Sequence, residues 1–226
     1  MSASTAGMAE LQGVVPASAL SAGVAGDGAL PVLPSLSTVL PGGLARGITV
    51  AVTARRGGTT SIVLGLLAGA AQDRASWCAV VGMPALSWAA AAALGADLTR
   101  LVMIPDPGPD AAVVAGTLLD GFDLVVLALS GSLAAGVRTQ LAARARQAKS
   151  TLVAVAAWPG ANLTLGVESS RWHGRRRLRA QELTVVVSGR GSAGRPRQGT
   201  VWLPEDPAID ARPPVETAPA RLRAVS

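Results

Sequence analysis

The sequence predicts an α/β fold, a mainly parallel sheet flanked by helices, and three observations predict it. Short β-branched runs alternate with helical stretches five times between residues 48 and 156. Those runs are apolar at successive positions, as in strands buried on both faces; a half-exposed strand would alternate. After Trp158 the texture changes to strand-like segments separated by arginine-, glycine- and proline-rich turns, which reads as C-terminal β-hairpins at the sheet edge.

The elements follow in order. Residues 1–28 are Ala-, Ser- and Gly-rich with few anchors and read as a mobile N-terminal segment. "ITVAV" (48–52) is the first buried strand, and a Gly-Gly turn leads to a helix from Thr59 to Ala71. "WCAVVG" (77–82), a helix over 86–93, "RLVMI" (100–104) and a helix over 110–121 come next. "DLVVLAL" (123–129), a helix over 133–148 and "TLVAVA" (151–156) complete the alternating run. "NLTLGVES", "ELTVVVSG" and "GTVWLPE" are the hairpin strands. The core domain therefore spans 29–206, and 207–226, rich in Pro and Ala, reads as a flexible tail.

Composition narrows the function classes. Half of the 226 residues are hydrophobic and 15% are charged, enough apolar surface for one sizeable core and too much for disorder throughout. A single cysteine, Cys78, excludes an internal disulfide and fits a reducing compartment; in its apolar run it reads as a small core residue. The longest apolar helix candidate, "ALSWAAAAALGA", is shorter than the ~20 residues a membrane span needs. No basic patch precedes an apolar stretch at the N-terminus, so a cytoplasmic location is expected. A lone histidine, His173, gives neither a zinc set nor a Ser-His-Asp arrangement.

The stretch "VAVTARRGGTTSIVLGLL" has the outline of a phosphate loop. With Gly58 as the last glycine of G-x-x-x-x-G-K-[ST], the first glycine falls on Thr53, the lysine on Thr59 and the hydroxyl on Thr60. Turn and hydroxyl are kept; the cation and one glycine are lost. Arg55, Arg56, Gly57, Gly58, Thr59 and Thr60 thus form a vestigial phosphate loop with no cofactor expected, and Thr59 or Thr60 is the expected cap of the following helix.

The ordered set of segments resembles the RecA core, and within it the RecA-like ImuA group of mutagenesis proteins, in its actinobacterial ImuA'-type branch. The matching stretch runs from "LPGGLARGITVAV" through "GGTTSIVLGLLAGAAQ", "CAVVGMPALSWAAAAALGADLTRLVMI" and "DGFDLVVLAL" to "RWHGRRRLRAQELTVVVSGRGSAGRPRQGTVWLPE". The resemblance implies a P-loop-type core. It also locates two missing carboxylates. The magnesium aspartate at the end of the fourth strand is Ala128, and where the water-activating glutamate would follow the second strand the chain reads Gly82-Met83-Pro84. Phosphoryl transfer rests on electrostatic stabilisation and positioning, so losing all three charges predicts no enzyme. Asp123 begins the fourth strand, at the wrong end to compensate.

Positive charge is concentrated after residue 137, where fifteen Lys and Arg face six acids. Candidate DNA contacts are Arg171, Trp172, Arg175, Arg176, Arg177, Arg179, Arg190, Arg195 and Arg197, cations to track a phosphate backbone with an indole to stack on a base. Candidate partner contacts are Arg221, Leu222, Arg223 and Val225 in the tail. Trp158 and Trp202 are expected to anchor edge strands to the core. The resemblance implies a non-catalytic adaptor in damage-induced mutagenesis and translesion DNA synthesis. Its partners would be an ImuB-type Y-family-like protein and, through it, an error-prone polymerase, with single-stranded DNA a further candidate and no membrane. The alternatives are a SulA-like cell-division inhibitor that binds the tubulin-like division protein, or a weak DNA-dependent ATPase.

Overall fold

The computed structural model describes residues 28–73, 75–129, 131–174, 179–189 and 196–204. Two short strands, β1 (Ala29–Leu30) and β2 (Leu44–Ala45), pair antiparallel around the one-turn helix α1 (Pro34–Ser37). The main sheet follows: β3 (Thr49–Ala54), β4 (Cys78–Val81), β5 (Leu101–Ile104), β6 (Leu124–Leu127), β7 (Thr151–Ala154), β8 (Leu163–His173), β9 (Ala180–Gly189) and β10 (Arg197–Leu203). Its helices are α2 (Thr59–Ala70), α3 (Trp88–Ala93), α4 (Ala111–Leu118) and α5 (Ala135–Ala148).

In space the eight strands run β10-β9-β8-β3-β7-β6-β4-β5. From β8 to β5 every neighbouring pair is parallel, and β9 runs antiparallel to both β8 and β10. The sequence expectation of a mainly parallel α/β sheet with antiparallel C-terminal strands is therefore met. β8 pairs with β3 in parallel, so the C-terminal strands extend the sheet directly from the strand that carries the glycine turn. That adjacency matters for the site.

Side chains along the central strands explain the continuous apolar runs. Val50 and Val52, Cys78 and Val80, Leu124 and Val126 face a core shared with α1, α2 and α3. Ala51, Ala79, Val81, Val125 and Leu127 face a second core beneath α4 and α5. Strands β4 and β6 are accordingly apolar at every position. Helix α2 is buried from Ile62 to Ala70, apolar all round because it is enclosed on all sides. Gly69 lets it meet the chain at Val32, where a Cβ would stand 2.6 Å from the Val32 Cα.

Several expected boundaries shift. The second helix is confined to 88–93 because Ser87 caps it, its hydroxyl accepting from the Ala90 N–H at 3.2 Å. The helix expected over 110–121 begins with a 3-10 turn at Gly108–Asp110, and its regular part ends at Leu118.

Candidate functional site

The Gly57-Gly58 loop lies at the C-terminal ends of the parallel strands, where open α/β sheets hold their ligands. Its backbone stays in the sheet through Arg55, whose N–H donates to the Val167 carbonyl at 3.1 Å. The chain then turns through Gly57 (φ +85°) and Gly58 (φ +99°), a left-handed pair that suits glycine. Gly58 is itself the N-cap of α2, and no side chain caps the helix. The expected cap at Thr59 or Thr60 is thus corrected: both threonines already have helical geometry, and a capping side chain must sit one residue earlier, where glycine has none.

The Gly58 side of this turn packs against the protein, whereas a Cβ on Gly57 would meet nothing within 4 Å. A Cβ on Gly58 would stand 2.9 Å from a Leu183 methyl and 3.0 Å from a Val167 methyl. Gln181 (4% exposed) ties the same hairpin to the first turn of α2. Its Oε1 accepts from the Ser61 hydroxyl, and its Nε2 donates to the Ser170 hydroxyl at 2.6 Å. β8 and β9 therefore clamp the start of α2. Arg55 and Arg56 remain exposed, and Arg55 reaches Glu168 at 3.4 Å. A pair this exposed contributes little.

The neighbouring ends of β6 and β4 carry Ala128 and Gly82, neither of them charged. Ala128 follows β6, its N–H donating to the Val81 carbonyl at 2.9 Å. Gly82 (φ +79°) ends β4 directly against the Ala128 carbonyl oxygen, which occupies the place a Cβ would need. Beside Ala128, on the α5 side, a cleft of about 260 Å³ is lined by Leu127, Leu129, Leu133, Ala154 and Trp158, with Arg138 at its wall. Arg138 is engaged there by the Leu133 carbonyl. Among the described residues no three His, Cys, Asp or Glu side chains gather closely enough to hold a metal ion.

Asp123 lies at the opposite end of the sheet, as its place in the strand predicts. Its carboxylate accepts from Arg46 and, at 2.8 Å, from the Trp77 N–H. Arg46 also donates to the Ser76 hydroxyl at 3.1 Å, and Ser76 donates to Asp73 at 2.7 Å. The Ser76 hydroxyl, then the Ala75 N–H and the nearby arginines, hold the Asp73 carboxyl below its usual range. This cluster fastens three chain segments together beneath the sheet and is structural. Cys78, buried in β4, has its thiol pushed up to about 12, first by burial and then by Asp123, so it is no nucleophile at neutral pH.

The basic region divides. Arg171, Trp172, Arg179 and Arg197 are exposed. Arg175, Arg176, Arg177, Arg190 and Arg195 lie outside the described residues, as do Arg221, Leu222, Arg223 and Val225. Trp172, 52% exposed, stands opposite Gln181 on the α2 face, whereas Arg171 stands opposite Glu182 on the other face. Arg197 pairs with Val187, about 17 Å along β9 from Glu182 at ~3.4 Å per residue. Arg171, Trp172 and Arg197 therefore do not share one surface. His173 bonds Glu182 at 2.9 Å, and its ring packs on Trp202 with centroids 4.8 Å apart. Trp202 thus ties the edge strand β10 to β8 across β9. Trp158 is buried in the α4–α5 core after β7, a central strand, so its anchoring role is not at an edge.

Gln181 escaped the sequence reading, although it left a signal. It continues the period-two row of Leu183, Val185 and Val187, and a polar residue on an apolar face needs a buried partner. Ser61, its partner across 120 positions, left no such mark.

Residues 38–160, more than half of the chain, match the family model described as the MT3502 N-terminal domain. An uncharacterized protein of Mycobacterium tuberculosis, Rv3395c, is 38% identical over 148 residues, which cover 65% of this chain and 68% of that protein.

Proposed function

We propose that this chain, which belongs to the MT3502 N-terminal domain family, is a non-catalytic RecA-like adaptor. It serves damage-induced mutagenesis in the cytoplasm by binding an ImuB-type partner and, through it, an error-prone polymerase. The observation that carries the non-catalytic half is the hairpin packed on Gly58, beside neutral residues where the resemblance expects charge. The Gly57-Gly58 turn keeps its backbone shape, yet Leu183 and Val167 pack on Gly58 and Gln181 engages Ser61. The lysine position is Thr59 and the magnesium position is Ala128. A site that must neutralise a triphosphate has two exposed arginines to offer, one of them facing Glu168. The sheet order and the antiparallel C-terminal strands support the RecA-like reading, and the segment resemblance supports the mutagenesis role. With the gripping charges gone, the scaffold works through its surfaces.

Two measurements test this. Purified full-length protein titrated calorimetrically with ATP and magnesium should give no binding heat, and it should show no turnover with or without single-stranded DNA. Hydrolysis that Thr60→Ala abolishes would sink the reading. Co-purification from DNA-damaged cells should recover a Y-family-like protein; recovery of the tubulin-like division protein in its place reverses the assignment.

A further inference from the structure

We propose that the cleft beside α5 binds a small carboxylic acid with an apolar body, its carboxylate held by Arg138. The cleft opens at the C-terminal ends of β6 and β7, neighbouring parallel strands joined through α5, the end at which open α/β sheets hold ligands. It lies on the α4–α5 face of the sheet, whereas Val167 and Leu183 pack on Gly58 from the α2 face. The site is therefore separate from the glycine turn.

Two chemistries meet in its lining. Leu127, Leu129, Leu133, Ala154 and Trp158 give an apolar floor, and no acid is among the lining residues. An apolar cavity of about 150 Å³ holds one benzene ring. At about 260 Å³ this cleft has room for one ring or a short alkyl chain together with a carboxylate.

Arg138 makes the polar wall. Its guanidinium is half-buried, and one amino group donates to the Leu133 carbonyl. That neutral oxygen occupies one of the five guanidinium N–H groups and answers none of the charge. Other arginines of the fold are matched: Arg46 meets Asp123, Arg55 meets Glu168, Arg144 meets Asp120, and Arg100 lies over the Trp77 ring. Among the described residues no carboxylate reaches Arg138. Arg138 also stands near the N-terminus of α5, where the helix dipole is positive, with no acid in the first turn. A cation is disfavoured there unless an anion accompanies it.

These features select the occupant. A carboxylate can accept two parallel N–H bonds from a guanidinium, while its apolar remainder covers the leucines and Trp158. A bare phosphate would leave the apolar floor wet, and an uncharged hydrocarbon would leave the guanidinium unpaired.

Isothermal titration calorimetry of the full chain with phenylacetate tests the site. One molecule should bind with a dissociation constant of about 0.1–1 mM. Phenylacetamide has the shape without the charge and acetate the charge without the ring, so each should bind at least about tenfold more weakly. Arg138→Gln keeps a donor for the Leu133 carbonyl and removes the charge. It should weaken phenylacetate about tenfold and leave phenylacetamide unchanged. Ala156→Leu, at an exposed lining position, should fill the cleft and abolish binding. No heat from phenylacetate or octanoate at about 10 mM overturns the proposal. So does phenylacetamide binding equally well, acetate binding equally well (an adventitious ion only), or a folded Arg138→Gln with undiminished phenylacetate affinity. Should Arg138→Gln fail to fold, undiminished binding by Ala156→Leu overturns it equally.

Discussion

Gln181→Leu probes the clamp at the start of α2, because leucine keeps roughly the volume of glutamine and removes its amide. The parent amide is 4% exposed and satisfies two hydroxyls, Ser61 on α2 and Ser170 on β8. Leucine strands both. A buried hydroxyl without a partner costs about 1–3 kcal/mol, and the low end applies because both serines are half-buried. Two such groups give a loss of about 2 kcal/mol. Replacing every partner by an apolar group is nearly neutral. The triple variant with Ser61→Ala and Ser170→Ala should therefore return to within about 1 kcal/mol of the parent, a non-additivity that marks direct contact. Urea unfolding followed by tryptophan fluorescence reads the change as a shifted midpoint at constant slope. Thermally, a 2 kcal/mol loss in a chain this long lowers the midpoint by about 4–8 °C. A single variant as stable as the parent, or a triple variant no better than the single, would refute the clamp.

Three further outcomes are expected. Gly82→Ala drives a Cβ into the Ala128 carbonyl at φ +79°, so it should destabilise by more than the 1–2 kcal/mol of left-handed strain alone and lower the melting midpoint sharply; an unchanged melt would remove the close approach of β4 and β6. Asp73 has a depressed folded-state pKa, so its contribution is present above about pH 4 and is lost as pH falls through the folded value. Asp73→Asn should therefore be less stable than the parent at neutral pH, with a gap that narrows on acidification; a gap independent of pH counts against the ionised network. Cys78, its thiol raised to about 12 and fully buried, should resist iodoacetamide at pH 8 in the folded protein and react promptly in urea; stoichiometric labelling of the native chain contradicts its burial.

Much of the fold was legible because it is written in local pattern. Strands such as 78–81 and 124–127 are apolar at every position since each residue faces one of two cores, and a short two-sided run has few other readings. The glycine turn was legible because only glycine readily takes the two positive φ angles at 57 and 58. Helix ends were less legible. Whether a threonine caps α2 depends on which residue leaves the sheet, and the bond from Arg55 to Val167, across 112 positions, helps decide it. The basic stretch was less legible in another way: neighbours in sequence on a strand point to opposite faces, so Arg171 and Trp172 part company once β8 forms.

The sequence by itself determined the alternating α/β order, the glycine turn, and the neutral residues Thr59 and Ala128, because each is a property of a residue in its own short segment. Tertiary structure alone decided that β8 lies beside β3, that Leu183 and Val167 fill the space over Gly58, and that Gln181 reaches Ser61. Those are contacts between segments more than a hundred residues apart, and their partners are selected by the free energy of packing the whole sheet, a quantity no single segment encodes.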